Sequence, residues 1–268
     1  MKKFCLVSDA LTSAVNQYPD RESLYCGDEA ISYRELDQIS DRLASSWLAL
    51  GLARGDRIAI IATTQLEWLY CYFAAAKIGV ALVGLNVRYR DSELIYMLNQ
   101  SRAKMLVTLR SYGDVEYPSY LESMHSKLDY LQHIVYLNGP FSDGEINFTK
   151  LLEQSIDAEK LSAAKAVTQP DDVVSVIYTS GTTGKPKGVA ITQQSQLASA
   201  LAQQQHLNND SDYCMVIPLP LNHVGGITAG HQYLIPQRDR DWLLILADCK
   251  WRARSTGKTA SIPRPDSH

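Results

Sequence analysis

Residues 57–85 read RIAIIATTQLEWLYCYFAAAKIGVALVGL. Arg57-Ile-Ala-Ile-Ile61 is an apolar run of strand length, and Val80 to Leu85 is a second. Between them, Thr64-Gln-Leu-Glu67 has the form of a capping box, and the apolar sequence behind it sustains a helix to Ile78. Lys77-Ile-Gly79 ends that helix, with Gly79 at the left-handed cap position. Strand, helix and strand in this order imply a parallel pair, because a crossover helix returns the chain to the same end of a sheet. The stretch from Trp68 to Leu85 also approaches the length of a bilayer crossing. Lys77 in its middle favours a buried helix and strand instead.

The same alternation continues on both sides. Upstream, Ser23 to Cys26 and Glu29 to Ser32 flank Gly27-Asp28 as a hairpin, and Ser32-Tyr-Arg-Glu35 is a capping box. Leu36, Ile39, Leu43, Trp47 and Leu50 then recur at helical spacing until Gly51. Downstream, Asp91 is placed to cap a helix reaching about Gln100, and Lys104 to Thr108 and His133 to Leu137 read as strands. Asn138-Gly-Pro140 reads as a turn and Gln169-Pro-Asp-Asp172 as a junction. The expected fold is α/β, with doubly wound parallel sheets. Residues 1–170 would form a first subdomain, 171–230 the start of a second, and 231–268 a divergent tail.

The chain has 268 residues with 46% hydrophobic content, enough for a substantial core. Its 26 basic and 29 acidic residues leave a formal charge of -3, which gives no reason to expect nucleic acid or an anionic membrane as partner. The five cysteines are scattered and in no metal-ligand spacing, so reduced thiols in a cytoplasmic protein are expected. Lys2-Lys3 and the short apolar run Phe4 to Val7 are too brief for a signal peptide.

One segment carries chemistry. Val173 to Tyr178 is a strand-like run, and directly behind it stands Thr179-Ser-Gly-Thr-Thr-Gly-Lys-Pro-Lys187. An Ala/Gln/Leu-rich helix is expected from Thr192 to about Gln205, which places the loop between a strand and a helix. Glycine-rich turns after strands expose consecutive backbone N–H groups, and these form a concave anion site. The hydroxyls of Thr179, Ser180, Thr182 and Thr183 add donors, Gly181 and Gly184 keep the approach open, and Lys185 and Lys187 add charge. Phosphate is the expected guest. A solvated surface turn uses the same residue types. The Walker pattern fails, because Pro186 rather than Ser or Thr follows Lys185.

Val176-Ile-Tyr-Thr-Ser-Gly-Thr-Thr-Gly-Lys-Pro-Lys-Gly-Val189 resembles the phosphate-binding signature of the AMP-forming adenylating enzymes, and within them of the acyl-CoA synthetases. Pro19-Asp-Arg21, Ser32-Tyr-Arg-Glu-Leu36, Gly55-Asp-Arg-Ile-Ala59, Ala76-Lys-Ile-Gly79, Leu85-Asn86 and Ala103-Lys-Met-Leu-Val-Thr108 are similar to family segments in order and spacing. The resemblance implies that a carboxylate attacks the α-phosphate of ATP to give acyl-adenylate and pyrophosphate, after which coenzyme A displaces AMP. It implies that the loop holds the β- and γ-phosphates, with Thr179 reaching Mg²⁺. Pro218-Leu-Pro-Leu-Asn-His-Val-Gly-Gly226 is similar to the segment that sets an aromatic residue or His beside the substrate carboxylate, which would be His223. Two departures stand out: Asn222 where the family has an aromatic, and Thr192-Gln193 where it has Thr-His.

The resemblance stops after Gly230. Family enzymes are roughly twice this length, so the sequence is expected to be a truncated or frameshifted reading frame, against a lineage-specific tail, and a poor enzyme by itself. Two rival readings remain at this stage: a fragment of a peptide-synthetase adenylation domain, and a non-catalytic remnant or interaction protein that keeps the fold.

Overall fold

In a computed structural model the described residues are 5–179, 185–207, 213–217, 219–231 and 242–246. The stretch quoted above folds as its pattern predicts. Strand β3 (Arg57–Ile61) and β4 (Ala81–Leu85) pair in parallel across helix α3 (Leu66–Lys77), and Gly79 takes φ +66° behind the helix. All but one of the α3 residues are fully buried, which is why the helix is apolar on every side. Among the described residues no helix is long and apolar enough to cross a membrane.

Before this unit come α1 (Val7–Gln17), the hairpin of β1 (Glu22–Cys26) and β2 (Glu29–Ser32), and α2 (Tyr33–Ala49). The Ser32 box closes as expected: the Glu35 N–H donates to the Ser32 hydroxyl at 3.2 Å, and the Ser32 N–H donates to the Glu35 carboxylate at 2.8 Å. That carboxyl is held below its usual range, first by the Ser32 N–H. After it come α4 (Asp91–Ser101), β5 (Met105–Thr108), the small hairpin β6 (Ser111–Tyr112) and β7 (Val115–Glu116), and α5 (Tyr117–Met124). Strands β8 (His133–Tyr136) and β9 (Ile146–Asn147), helices α6 (Phe148–Glu153) and α7 (Ala158–Val167), and strand β10 (Val173–Thr179) follow.

Two expected caps differ. Helix α3 takes its cap position at Gln65, without a side-chain cap bond, and not at Thr64, which is buried. Asp91 lies inside the first turn of α4, where its carboxylate accepts from the Tyr120 hydroxyl at 2.9 Å, and Arg90 takes the cap position. At Asp91 a tertiary contact outcompetes the local motif.

The larger sheet runs β11, β10, β4, β3, β5, β8, β9, where β11 (Lys187–Thr192) is an antiparallel edge and the rest are parallel. Thus β10 and β11, expected to open a second subdomain, pair into the first sheet. Alternate residues of β3 feed two cores: Ile58 and Ile60 pack with α1, α2 and α3, whereas Ala59 and Ile61 pack with α4 and α5. Helices on both faces make this the doubly wound arrangement.

A second sheet assembles strands remote in sequence, in the order β12 (Tyr213–Ile217), β13 (Trp242–Leu246), β1, β2. Trp242–Leu246, inside the stretch read as a divergent tail, takes part in this sheet. Its five apolar residues form β13, parallel to both β12 and β1. An apolar run of that length is what a strand between two neighbours requires. Residues 232–241 and 247–268 lie outside the described set. The cysteine expectation also changes: Cys5 and Cys71 are free, but Cys26 at the end of β1 is disulfide-bonded. Sheet pairing between distant segments can juxtapose thiols that sequence spacing cannot relate.

Candidate active site

The strands on either side of the glycine-rich segment pair as a hairpin. Thr179 ends β10, Lys187 begins β11, and the two are paired. Ser180, Gly181, Thr182, Thr183 and Gly184 lie outside the described residues. The expected order of strand, loop and helix is corrected here, because Lys187–Thr192 intervenes as β11 before helix α8 (Gln193–Leu207). The N-terminus of α8 is therefore not the loop's own.

Both arms rest on α4. The Tyr178 hydroxyl donates to the Met97 carbonyl at 3.0 Å, and the Tyr96 hydroxyl donates to the Pro186 carbonyl at 3.2 Å. Lys185 and Lys187 are exposed, and the Lys185 ammonium lies 5.5 Å from the Tyr96 ring centroid. Burial, with Tyr96 nearby, pushes the Tyr178 hydroxyl up to about 12, so it remains a donor at neutral pH. Thr179 is exposed, and among the described residues its hydroxyl makes a long contact to the Lys187 carbonyl, at 3.5 Å.

Among the described residues no group of three His, Cys, Asp or Glu is placed to hold a metal ion. One hydroxyl does not make a protein metal site. It does suit a hard cation that brings most of its oxygen ligands with it, as Mg²⁺ does on a nucleotide.

The second half of the site comes from beyond β12. Leu219 and Pro220 lead into a turn that places His223 before α9 (Val224–His231), with the buried Leu221 as anchor. The His223 N–H donates to the Pro220 carbonyl at 3.0 Å, and the Gly225 N–H donates to His223 Nδ1 at 3.1 Å. An accepting Nδ1 assigns the neutral imidazole's proton to Nε2, which turns the exposed ring into an N–H donor suited to a carboxylate.

This turn is seated on the parallel sheet. A Cβ on Gly84 would stand 3.0 Å from Asn222 Cα, so the Asn222 backbone lies directly against β4. Gly84 is also in register with Ile177 of β10, two residues before Thr179. The carboxyl ends of β4 and β10 thus bring the His223 turn and the root of the hairpin to one edge of the sheet. That edge is where ligands bind in open α/β sheets.

Sequence reasoning missed Tyr96 and Gly84. A glycine inside a buried strand signals close approach of another backbone, and was the available clue to Gly84. Nothing local marked Tyr96. Gln193 was noted only as a departure, yet it is fully buried and joins two helix ends: its Oε1 accepts from the Val7 N–H at 2.9 Å and its Nε2 donates to the Ala76 carbonyl at 2.8 Å.

Comparison with known proteins supplies the relationship. The AMP-binding enzyme family model matches residues 11–236. YngI of Bacillus subtilis, a candidate acyl-CoA synthetase, is 30% identical over 237 residues, which is 82% of this chain and 43% of that protein. The crotonobetaine/carnitine–CoA ligase of Escherichia coli is 31% identical over 220 residues, 81% of this chain and 39% of that protein. The chain therefore spans less than half the length of these curated relatives. In structure it resembles the o-succinylbenzoate CoA synthetase of Bacillus subtilis in complex with its acyl-adenylate intermediate, at TM-score 0.69 and 24% identity, covering 89% of this chain and 55% of that one. The chain belongs to the AMP-binding enzyme family and is similar to its acyl-CoA synthetases.

Proposed function

We propose that this chain carries the phosphate-binding and carboxylate-facing part of an AMP-forming acyl-CoA synthetase. A carboxylate oxygen of the acid attacks the α-phosphorus of ATP, the bond to the bridging oxygen breaks, and pyrophosphate leaves. The thiol of coenzyme A then attacks the acyl carbon, AMP departs, and the thiol proton passes to solvent. Residues 179–187 hold the β- and γ-phosphates through backbone N–H groups, hydroxyls and the ammonium groups of Lys185 and Lys187. His223 donates from Nε2 to the acid's carboxylate, and the Thr179 hydroxyl is one ligand of Mg²⁺ arriving with ATP, which neutralises phosphate charge. Catalysis of this kind is positioning and charge neutralisation, so no covalent nucleophile is needed.

The observation that carries the reading is the shared edge: the hairpin arms on β10 and β11 and the His223 turn on Gly84 meet at the carboxyl ends of neighbouring parallel strands. Titration of this chain with ATP at low and high salt tests it. Binding should be weak and salt-sensitive, because exposed lysines reach phosphates only and are screened over about 10 Å at 0.1 M salt. Lys185→Ala with Lys187→Ala should abolish it and leave the thermal midpoint unchanged, since exposed charges contribute little to folding. Salt-independent binding, or a double variant that binds as well as the parent, overturns the reading. Acid-dependent exchange of pyrophosphate into ATP measures whether this chain alone completes the first step, and none is expected.

A further inference from the structure

Tyr96 stands on α4 beneath the outgoing arm of the hairpin, and it touches two consecutive residues of that arm by two chemistries. Its hydroxyl donates to the Pro186 carbonyl at 3.2 Å and accepts from Gln100 Nε2 at 3.0 Å. Its ring faces the Lys185 ammonium at 5.5 Å. Lys185 is otherwise exposed, and no ion pair to it occurs among the described residues. We propose that Tyr96 is a positioning residue for the anion site: its hydroxyl fixes the Pro186 backbone, and its ring parks the Lys185 ammonium beside the loop until a phosphate draws it away.

The two contacts differ in strength, and the difference gives the device its direction. A cation over an exposed ring is held weakly. A charge-assisted bond from the same ammonium to a phosphate oxygen is stronger, so the anion wins Lys185. The neutral bond to Pro186 involves no group the phosphate needs, so it persists and keeps the arm in place. Gln100 orients the hydroxyl toward Pro186 by occupying its acceptor side. The ring therefore acts before binding and the hydroxyl throughout.

This inference rests on the phosphate-site reading, and its test separates the two. Lysines of the full chain are reductively dimethylated with ¹³C, which keeps their charge, and the Lys185 methyl resonance is assigned by its loss in Lys185→Arg. In the free protein it should stand upfield of the other exposed lysines, because of the Tyr96 ring current, and move toward them on adding pyrophosphate. Tyr96→Phe should keep the upfield position but weaken pyrophosphate binding about fivefold, because an arm no longer held by that hydrogen bond in the free protein must be ordered at the expense of binding. Tyr96→Leu should abolish the upfield shift before any ligand is added. A wild-type Lys185 resonance among those of the other exposed lysines, a Tyr96→Leu variant that leaves it upfield, or a Tyr96→Phe variant with unchanged affinity overturns the proposal. If the wild type shows the upfield resonance but binds no pyrophosphate, the parking contact stands and the phosphate-site reading fails.

Discussion

The backbone of Asn222 rests on Gly84: a methyl group at position 84 would meet Asn222 Cα at 3.0 Å, Asn222 Cβ at 3.1 Å and the Trp68 ring at 3.4 Å. Gly84 is buried in the middle of the parallel sheet and Asn222 belongs to the turn that presents His223. The His223 turn is thus registered against the sheet by the absence of a side chain, with Trp68 of α3 beside it.

Gly84→Ala is the direct test of that seat. The contact is with backbone, which cannot rotate away, so the turn or β4 must shift. Overpacking of this kind costs about 1–3 kcal/mol. The expected result is lower stability in urea together with a moved His223 imidazole resonance. Unchanged His223 signals in a folded Gly84→Ala protein would mean that the turn is held from elsewhere.

Gln193 joins two helix ends, of α1 and α3. Val7 opens α1 and Ala76 lies in the last turn of α3, so the Val7 N–H and the Ala76 carbonyl are groups that their own helices leave unpaired. One buried amide satisfies both. Gln193→Leu strands both in the core at about 1–3 kcal/mol each, and should lower the denaturation midpoint markedly. Gln193→His retains one acceptor and one donor and should recover part of the loss. Equal stability of the Leu variant and the parent would remove this role.

The sequence made local features legible and long-range ones only in part. The Ser32 box, Gly79 and the alternation from Arg57 to Thr108 depend on neighbours a few residues away, and each appears as read. Strand β11 was overlooked because Lys187-Gly-Val-Ala-Ile-Thr192 has no two-residue alternation: four of its residues are exposed at the sheet edge, so selection for an inward face is weak. The second sheet was invisible because β1 pairs with residues 242–246, a relation no window of sequence contains. At the site, the loop and His223 are marked by residue type. Their seats, Tyr96 and Gly84, are ordinary residues whose meaning comes only from the contact.

Lys77, which argued against a membrane span, is buried at the end of α3. Its ammonium meets Asp37 Oδ1 at 2.7 Å, Asp41 Oδ1 at 2.6 Å and the Asp37 carbonyl at 2.8 Å, and Lys165 approaches Asp41 at 2.6 Å. Lys77→Met removes the shared cation and leaves two carboxylates facing each other, with only Asp41 still paired. Removing one partner of a buried pair costs about 3–5 kcal/mol. The lower end is expected because both carboxylates keep some exposure, 28% and 21%. Adding Asp37→Asn should restore part of the stability, measured as a non-additive double-mutant cycle in urea. Strict additivity would show that the three groups do not act together.

Glu67 sets a pH dependence of the opposite sign from most surface carboxylates. It lies in the first turn of α3, next to Trp68. Burial pushes its carboxyl above the ordinary range, and the Glu29 charge adds to the rise, while its own backbone N–H and Gln65 oppose it. An acid whose folded pKa is raised binds its proton more tightly in the native state than in the unfolded one. By linkage its contribution is fully present below the unfolded value, near pH 4, and is lost as pH rises through the folded value. Ionised Glu67 therefore destabilises the protein at neutral pH. Glu67→Gln removes the titration and keeps the shape. Relative to the parent, the variant should gain stability between pH 4 and pH 7, read from urea unfolding at each pH. A difference that stays constant over that interval, or that favours the parent more strongly at pH 7, would show that Glu67 is held as a carboxylate by a partner that outweighs its burial.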